Sequence, residues 1–160
     1  TDDTSAVQRA LNDLQPRGQT AMYDAVASAI RELRNEKRRR AIVVLTDGAD
    51  TSSIASTEEI DQMLRESGIP LYVIAYETGT TGVDLDRMKY LTAQTGGFVA
   101  VATQQNLMAK YSEIEKDLRA QFAITYQVTD YSKPNEWRRV RVQLNSPKLT
   151  ARTIGGYFTP

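Results

Sequence analysis

The segment Ala41-Ile42-Val43-Val44-Leu45 constrains this chain most. It is apolar on both faces, rich in β-branched residues, and ends in Thr46-Asp47-Gly48. A strand without a polar side must be covered from above and below, as in a parallel sheet flanked by helices. Leu71 to Tyr76, introduced by Pro70, is a second such run, and Phe98 to Val101 is a shorter third.

The intervening segments carry helical periodicity. Met22, Val26, Ala29, Ile30 and Leu33 share one face of a helix predicted from about Ala21 to Glu36. Ser56 and Glu59 form a capping-box pair before Ile60, Met63 and Leu64, and Ser67-Gly68 ends that helix. Leu85, Met88 and Leu91 mark another, stopped by Gly96-Gly97, and Leu107, Tyr111, Ile114 and Leu118 a long final one. Ahead of these, Val7, Ala10, Leu11 and Leu14 recur at helical spacing, with Asp3, Thr4 or Ser5 as the cap and a break at Pro16-Arg17-Gly18. Each strand–helix–strand step suits a right-handed parallel crossover. The expected fold over residues 1–120 is therefore α/β, a doubly wound, mainly parallel sheet with flanking helices.

After Ala120 the period changes to two. Phe122, Ile124, Tyr126 and Val128 alternate with polar or small residues, and Val140, Val142 and Leu144 alternate with Arg139, Arg141 and Gln143. Leu149 to Phe158 completes a predicted three-stranded antiparallel meander over 121–160, with Gly155-Gly156 as a bulge or bend.

Composition narrows the chemistry. The chain has no Cys and no His, which excludes disulfides, zinc knuckles and Ser-His-Asp catalysis, so a bound metal would be a hard cation held by oxygen. Twenty basic and twenty acidic side chains cancel, so net charge implies no nucleic-acid partner. The basic run Lys37 to Arg40 reads as a helix end whose cations suit the negative pole of the dipole. No apolar run has the length of a membrane span, and no signal peptide is visible, so no membrane insertion is expected. The chain opens at Thr1 without Met, which reads as a trimmed or processed start.

Two segments carry candidate chemistry. Gly18-Gln19-Thr20-Ala21-Met22-Tyr23-Asp24-Ala25 leads from a turn into a helix, and the Val43 strand ends in Thr46-Asp47-Gly48. Ligands of open α/β sheets bind beyond the carboxyl ends of the strands, which is where Asp47 falls. Thr20 reaches the same edge if its helix packs on the sheet, and a hydroxyl and an acid converging there are oxygen ligands for a hard cation. Taken singly, a Thr before a helix is usually its cap and an Asp after a strand usually a turn former. Asp50, Ser52 and Ser53 either shape the rim or are plain turn residues.

Together the two segments resemble the second and third parts of the metal-ion-dependent adhesion site of von Willebrand factor type A (VWA) domains. The resemblance covers residues 1 to about 120. It implies a non-catalytic protein-binding module in which Thr20 is the hydroxyl ligand and Asp47 the late carboxylate ligand of Mg²⁺, or of Mn²⁺ or Ca²⁺. A partner protein's Asp or Glu carboxylate would complete the shell. The tail, closing in Ala151-Arg152-Thr153-Ile154-Gly155-Gly156-Tyr157-Phe158, is similar to the VWFA-related domain family of acidobacterial proteins, which implies an extracytoplasmic address, periplasmic or secreted.

The family's first motif, Asp-x-Ser-x-Ser, does not occur. Asp2 is followed at the required spacings by Thr4 and Ala6, and Asp3 by Ser5 and Val7. The resemblance thus implies a partial domain whose first strands lie upstream, an incomplete metal site, and a bare strand edge suited to homo-oligomer formation. Three other functions share some of these features. A metal-free interaction domain shares every feature except the cation. A phosphoryl-transfer enzyme using Asp47 would need a strand-end Lys, and none follows Tyr76 or Val101. A helix-loop-helix calcium site from Asp47 to Glu58 fails at Ala49 and Ser52, where an oxygen ligand and Gly are required.

Overall fold

The computed structural model describes residues 3–15, 18–76, 82–128 and 133–159. The three buried-strand runs form one parallel sheet: β1 (Ile42–Thr46), β2 (Leu71–Tyr76) and β3 (Val99–Ala102), in that spatial order. Ile42 pairs with Leu71 through to Thr46 with Ala75, and Val73 pairs with Val99 through to Tyr76 with Ala102. β2 is central and buried along nearly its whole length, as its double-sided apolar sequence requires.

Helices cover both faces. On one, α2 (Met22–Leu33), α3 (Thr57–Ser67) and α4 (Leu85–Thr95) bury Val26, Ala27, Ile30, Ile60, Leu64, Met88 and Leu91 against Ile42, Leu71 and Val73. On the other, α5 (Leu107–Arg119) buries Ile114 against Tyr72, Ile74 and Ala102. The helix boundaries follow local chemistry. The Ser56–Glu59 capping box forms as expected, with Glu59 N–H donating to Ser56 Oγ at 3.2 Å and Ser56 N–H to Glu59 Oε2 at 2.7 Å. Gly68 and Gly96 end α3 and α4 in the left-handed region, at φ 61° and 82°. Arg40 Nη1 donates to the carbonyls of Leu33 and Arg34 at 3.3 Å, so one cation of the basic run serves the last turn of α2. Gly97 is required for a different reason, since a Cβ there would overlap the carbonyl oxygen of Leu71.

Two expectations are corrected. β1 forms the bare sheet edge expected of it, but it is not covered on both faces as its apolar sequence implied. Val43 and Leu45 share the α5 face with Tyr72 and Ile74, but α5 packs chiefly on β2 and β3, and they stay 41% and 49% exposed. The helix α1 (Thr4–Asn12), capped by Asp3, buries none of its residues, and Val7 and Leu11 stay exposed.

Among the described residues the tail holds two antiparallel strands where three were expected, β4 (Trp137–Arg139) and β5 (Gly156–Phe158). Among the described residues 121–128 form no strand, and Phe122 and Ile124 face solvent. Their alternation marks an extended amphipathic segment, but no described strand lies beside it to complete a ladder. The turn predicted from Asp130 to Glu136 begins outside the described residues, and its described part turns at Pro134 and Asn135, the latter at φ 58°. The β4–β5 hairpin is anchored to the α/β body by Gly155 N–H donating to the Gln94 carbonyl at 2.9 Å and by Arg152, which pairs with Asp117 of α5. Among the described residues no helix is long and apolar enough to cross a membrane.

Candidate functional site

Thr20 and Asp47 are both placed at the carboxyl edge of the sheet, Thr20 immediately before α2 and Asp47 immediately after β1. Their loops are joined through the backbone. The Thr20 carbonyl accepts from Thr51 N–H at 2.8 Å and Ser52 N–H at 3.1 Å, and Thr20 N–H donates to Thr51 Oγ1 at 3.1 Å. On the far side, Gly82 lies against the backbone of Gly48 and Ala49. Three segments distant in sequence thus meet at one rim.

Two acids hold this rim together. Asp50 reaches back to the start of α2, where its Oδ2 accepts from Tyr23 N–H at 2.8 Å and from the Ser53 hydroxyl at 2.5 Å, while Oδ1 accepts from Ser53 N–H at 3.0 Å. Asp24 reaches the opposite way, accepting from Ile54 N–H at 2.8 Å and Ala55 N–H at 2.9 Å. The Ser53 hydroxyl closes the circuit by accepting from Asp24 N–H at 3.0 Å. Partial burial pushes the Asp50 carboxyl up. The hydrogen bonds from Ser53, Tyr23 and Ser52 outweigh that and hold it below its ordinary value.

Asp50 and Ser53 are therefore turn and capping residues, the plainer of the two readings offered by the sequence. The role of Asp24 was missed. Its one local signal was an acid in the first turn of a helix; the amides it serves lie thirty residues on, in another loop.

The groups left uncommitted are few. Among the described residues no hydrogen bond or ion pair uses the Asp47 carboxylate, the Thr20 hydroxyl or the Ser52 hydroxyl, and Asp47 is exposed. Beside them Ile54 projects 94% exposed, at the head of a groove between α2 and α3. A hard cation such as Mg²⁺ draws about six oxygen ligands. The rim offers one free carboxylate and a pair of hydroxyls, and the described residues include no cluster of three or more acids. That donor set covers part of a coordination shell and does not close one.

A Rossmann-like α/β sheet with a hydroxyl and an acid at its carboxyl edge defines a class of ligand-binding domain, and sequence comparison narrows it. The chain belongs to the von Willebrand factor type A domain family, whose sequence model matches residues 1–116. Domains of this family are generally protein-interaction modules, are typically non-enzymatic, and often bind a divalent cation. No curated protein matches the chain. Among solved structures it is similar to an uncharacterised membrane-spanning protein from Vibrio fischeri. The two are 20% identical, with a TM-score of 0.45, over 72% of this chain and 67% of that one.

Proposed function

We propose that this chain is the ligand-recognition part of a protein-binding module whose contact surface is the rim around Thr20 and Asp47. One observation carries the reading: every other acid of this rim is committed to holding the loops, while the Asp47 carboxylate and the Thr20 hydroxyl are left free. In this reading Thr20 and Asp47 are ligands to Mg²⁺ or Mn²⁺, the cation's remaining position takes an Asp or Glu from the partner, and Ile54 supplies an apolar contact at the margin. Residues 1–120 form the partial module and 121–160 an extension of it. The tail's likeness to the acidobacterial VWFA-related family supports an extracytoplasmic setting.

With two or three donors, the chain alone holds the ion only weakly. Mn²⁺ titrated into labelled protein should broaden the backbone amide signals of residues 19–21 and 46–48 only at millimolar metal. Broadening centred elsewhere would sink the assignment. A micromolar calorimetric site removed by Asp47→Ala would keep the assignment but sink the claim of weakness.

The shortage of donors also favours a second reading, a metal-free module using the same rim. It differs in one result: Asp47→Ala would leave partner binding intact. The free edge of β1 supports self-association in either reading, because its unpaired backbone groups and the exposed Val43 and Leu45 offer a template for a second chain.

A further inference from the structure

A second cleft lies at the opposite end of the sheet, where α4 stops, β3 begins and the β4–β5 hairpin docks. Its volume is about 760 Å³, within the range of ligand-binding clefts. Arg65, Arg139, Arg141 and Arg152 line it together with Tyr90 and Trp137, and no acidic residue is among its described lining residues.

The four arginines are not equivalent. Arg65 meets Asp61 at 3.0 Å and lies 5.1 Å over the Trp137 ring, and Arg152 is paired with Asp117 and lies 4.8 Å over Phe98. Arg139 and Arg141 are exposed, and neither has a carboxylate partner among the described residues. The extended pairing continues past β4, since Val140 N–H donates to the Gly155 carbonyl at 3.1 Å. Trp137, Arg139 and Arg141 therefore occupy alternate positions on one strand face, with successive side chains about 6.7 Å apart. An extended peptide repeats its own side chains at that same spacing.

We infer that this cleft docks an extended peptide segment bearing an apolar residue and two acidic residues at alternate positions, matched to Trp137, Arg139 and Arg141. Guanidinium groups take carboxylates through paired hydrogen bonds, and an aromatic surface beside them accepts the apolar side chain. A nucleic acid fits less well. Phosphate-backbone binding draws on many cations along a track, whereas this chain has a formal net charge of zero and the cleft's described lining offers two arginines without a carboxylate partner.

Trp137 is the only tryptophan in the chain, so its emission reports on the cleft directly. A short blocked peptide with Leu, Glu and Glu at alternate positions is titrated into the 160-residue protein in the presence of EDTA, which separates this site from any cation-dependent one. A saturable emission change that weakens as salt rises is expected. The double change Arg139→Glu and Arg141→Glu should weaken it by at least about tenfold with an unaltered circular dichroism spectrum. Arg139→Lys and Arg141→Lys, which keep the charge but not the paired hydrogen bonds, should weaken binding less than the Glu changes do. If the double variant melts early, Arg141→Glu alone, beyond the β4 ladder, carries the test with a smaller loss. No saturable change, an equal response to the peptide with Gln in place of Glu, or stronger binding of a single-stranded RNA of equal charge would each overturn the proposal.

Discussion

The two faces of the sheet are finished to different degrees. Beneath α2, α3 and α4 the apolar side chains of three helices interlock with Ile42, Leu71 and Val73, and Ile60, Leu64 and Ile69 are buried almost completely. Beneath α5 the buried set contracts to Tyr72, Ile74, Ala102 and Ile114, and the same face of β1 carries Val43 and Leu45 into solvent. A sheet can hold its parallel pairing with one face closed and the other half covered. Stability is then concentrated on the closed side, and the open side keeps apolar side chains in solvent.

Core substitutions test that contrast most sharply. Leu64→Ala, on the closed face, should cost about 3–4 kcal/mol, because α3 is fixed between α2 and α4 and cannot collapse into the space. Ile114→Ala, under the single helix of the other face, should cost about 2 kcal/mol, since α5 has freedom to settle. Denaturant melts of the two variants check the order, and equal losses would break the comparison.

Tyr72 offers a pH test of the same face. Its hydroxyl donates to Asp117 Oδ2 at 2.8 Å and accepts from Gln121 at 3.2 Å; burial first, then the hydrogen bond to Asp117 and its charge, push its pKa up to about 12. A raised pKa means that the folded state keeps the proton longer than the unfolded chain does. The associated stability is complete below the ordinary value near 10 and is lost as pH rises from there toward 12. Tyr72→Phe should cost about 1 kcal/mol at neutral pH and flatten the alkaline limb of the stability profile.

An effect of similar size and opposite pH dependence is expected at the rim. Asp50 is held below its ordinary value, so its contribution is present above about pH 4 and is lost as pH falls through the lowered pKa. Asp50→Asn should cost about 1 kcal/mol at pH 7, and the difference from the parent should shrink as the pH is lowered through the acid range, as followed by thermal melts. The smallest change belongs to the open edge. Leu45→Thr should shift stability by less than about 0.5 kcal/mol while reducing self-association in sedimentation.

Much of this architecture is legible from local chemistry. The Ser56–Glu59 box, the Gly68 and Gly96 stops and the double-sided run of β2 each announce themselves within a few residues, because the groups that satisfy one another are close in sequence. The placement of Thr20 and Asp47 at one edge was also legible, since a strand end and a helix start converge wherever a crossover returns to the sheet. The exposure of Val43 and Leu45 was not, because β1 and β2 have the same apolar pattern and only the neighbours differ. The pairing of Trp137–Arg139 with Gly156–Phe158 was hidden for a similar reason. Alternation marks an extended segment without naming its partner, and here the closeness of Gly156 to Trp137 and the Arg138 carbonyl sets the register.

The exchange between Asp24 and Asp50 has a mechanical consequence. Each carboxylate is rooted on one side of the gap and bonded to amides on the other, so loop 50–55 is bolted at several points to the first turn of α2. The loop should therefore travel with the helix. A tilt of α2 about its far end, where Arg40 grips the last carbonyls, would carry Ile54 and the residues after Asp47 along with it, turning a rotation of one helix into a displacement of the whole rim around Thr20 and Asp47.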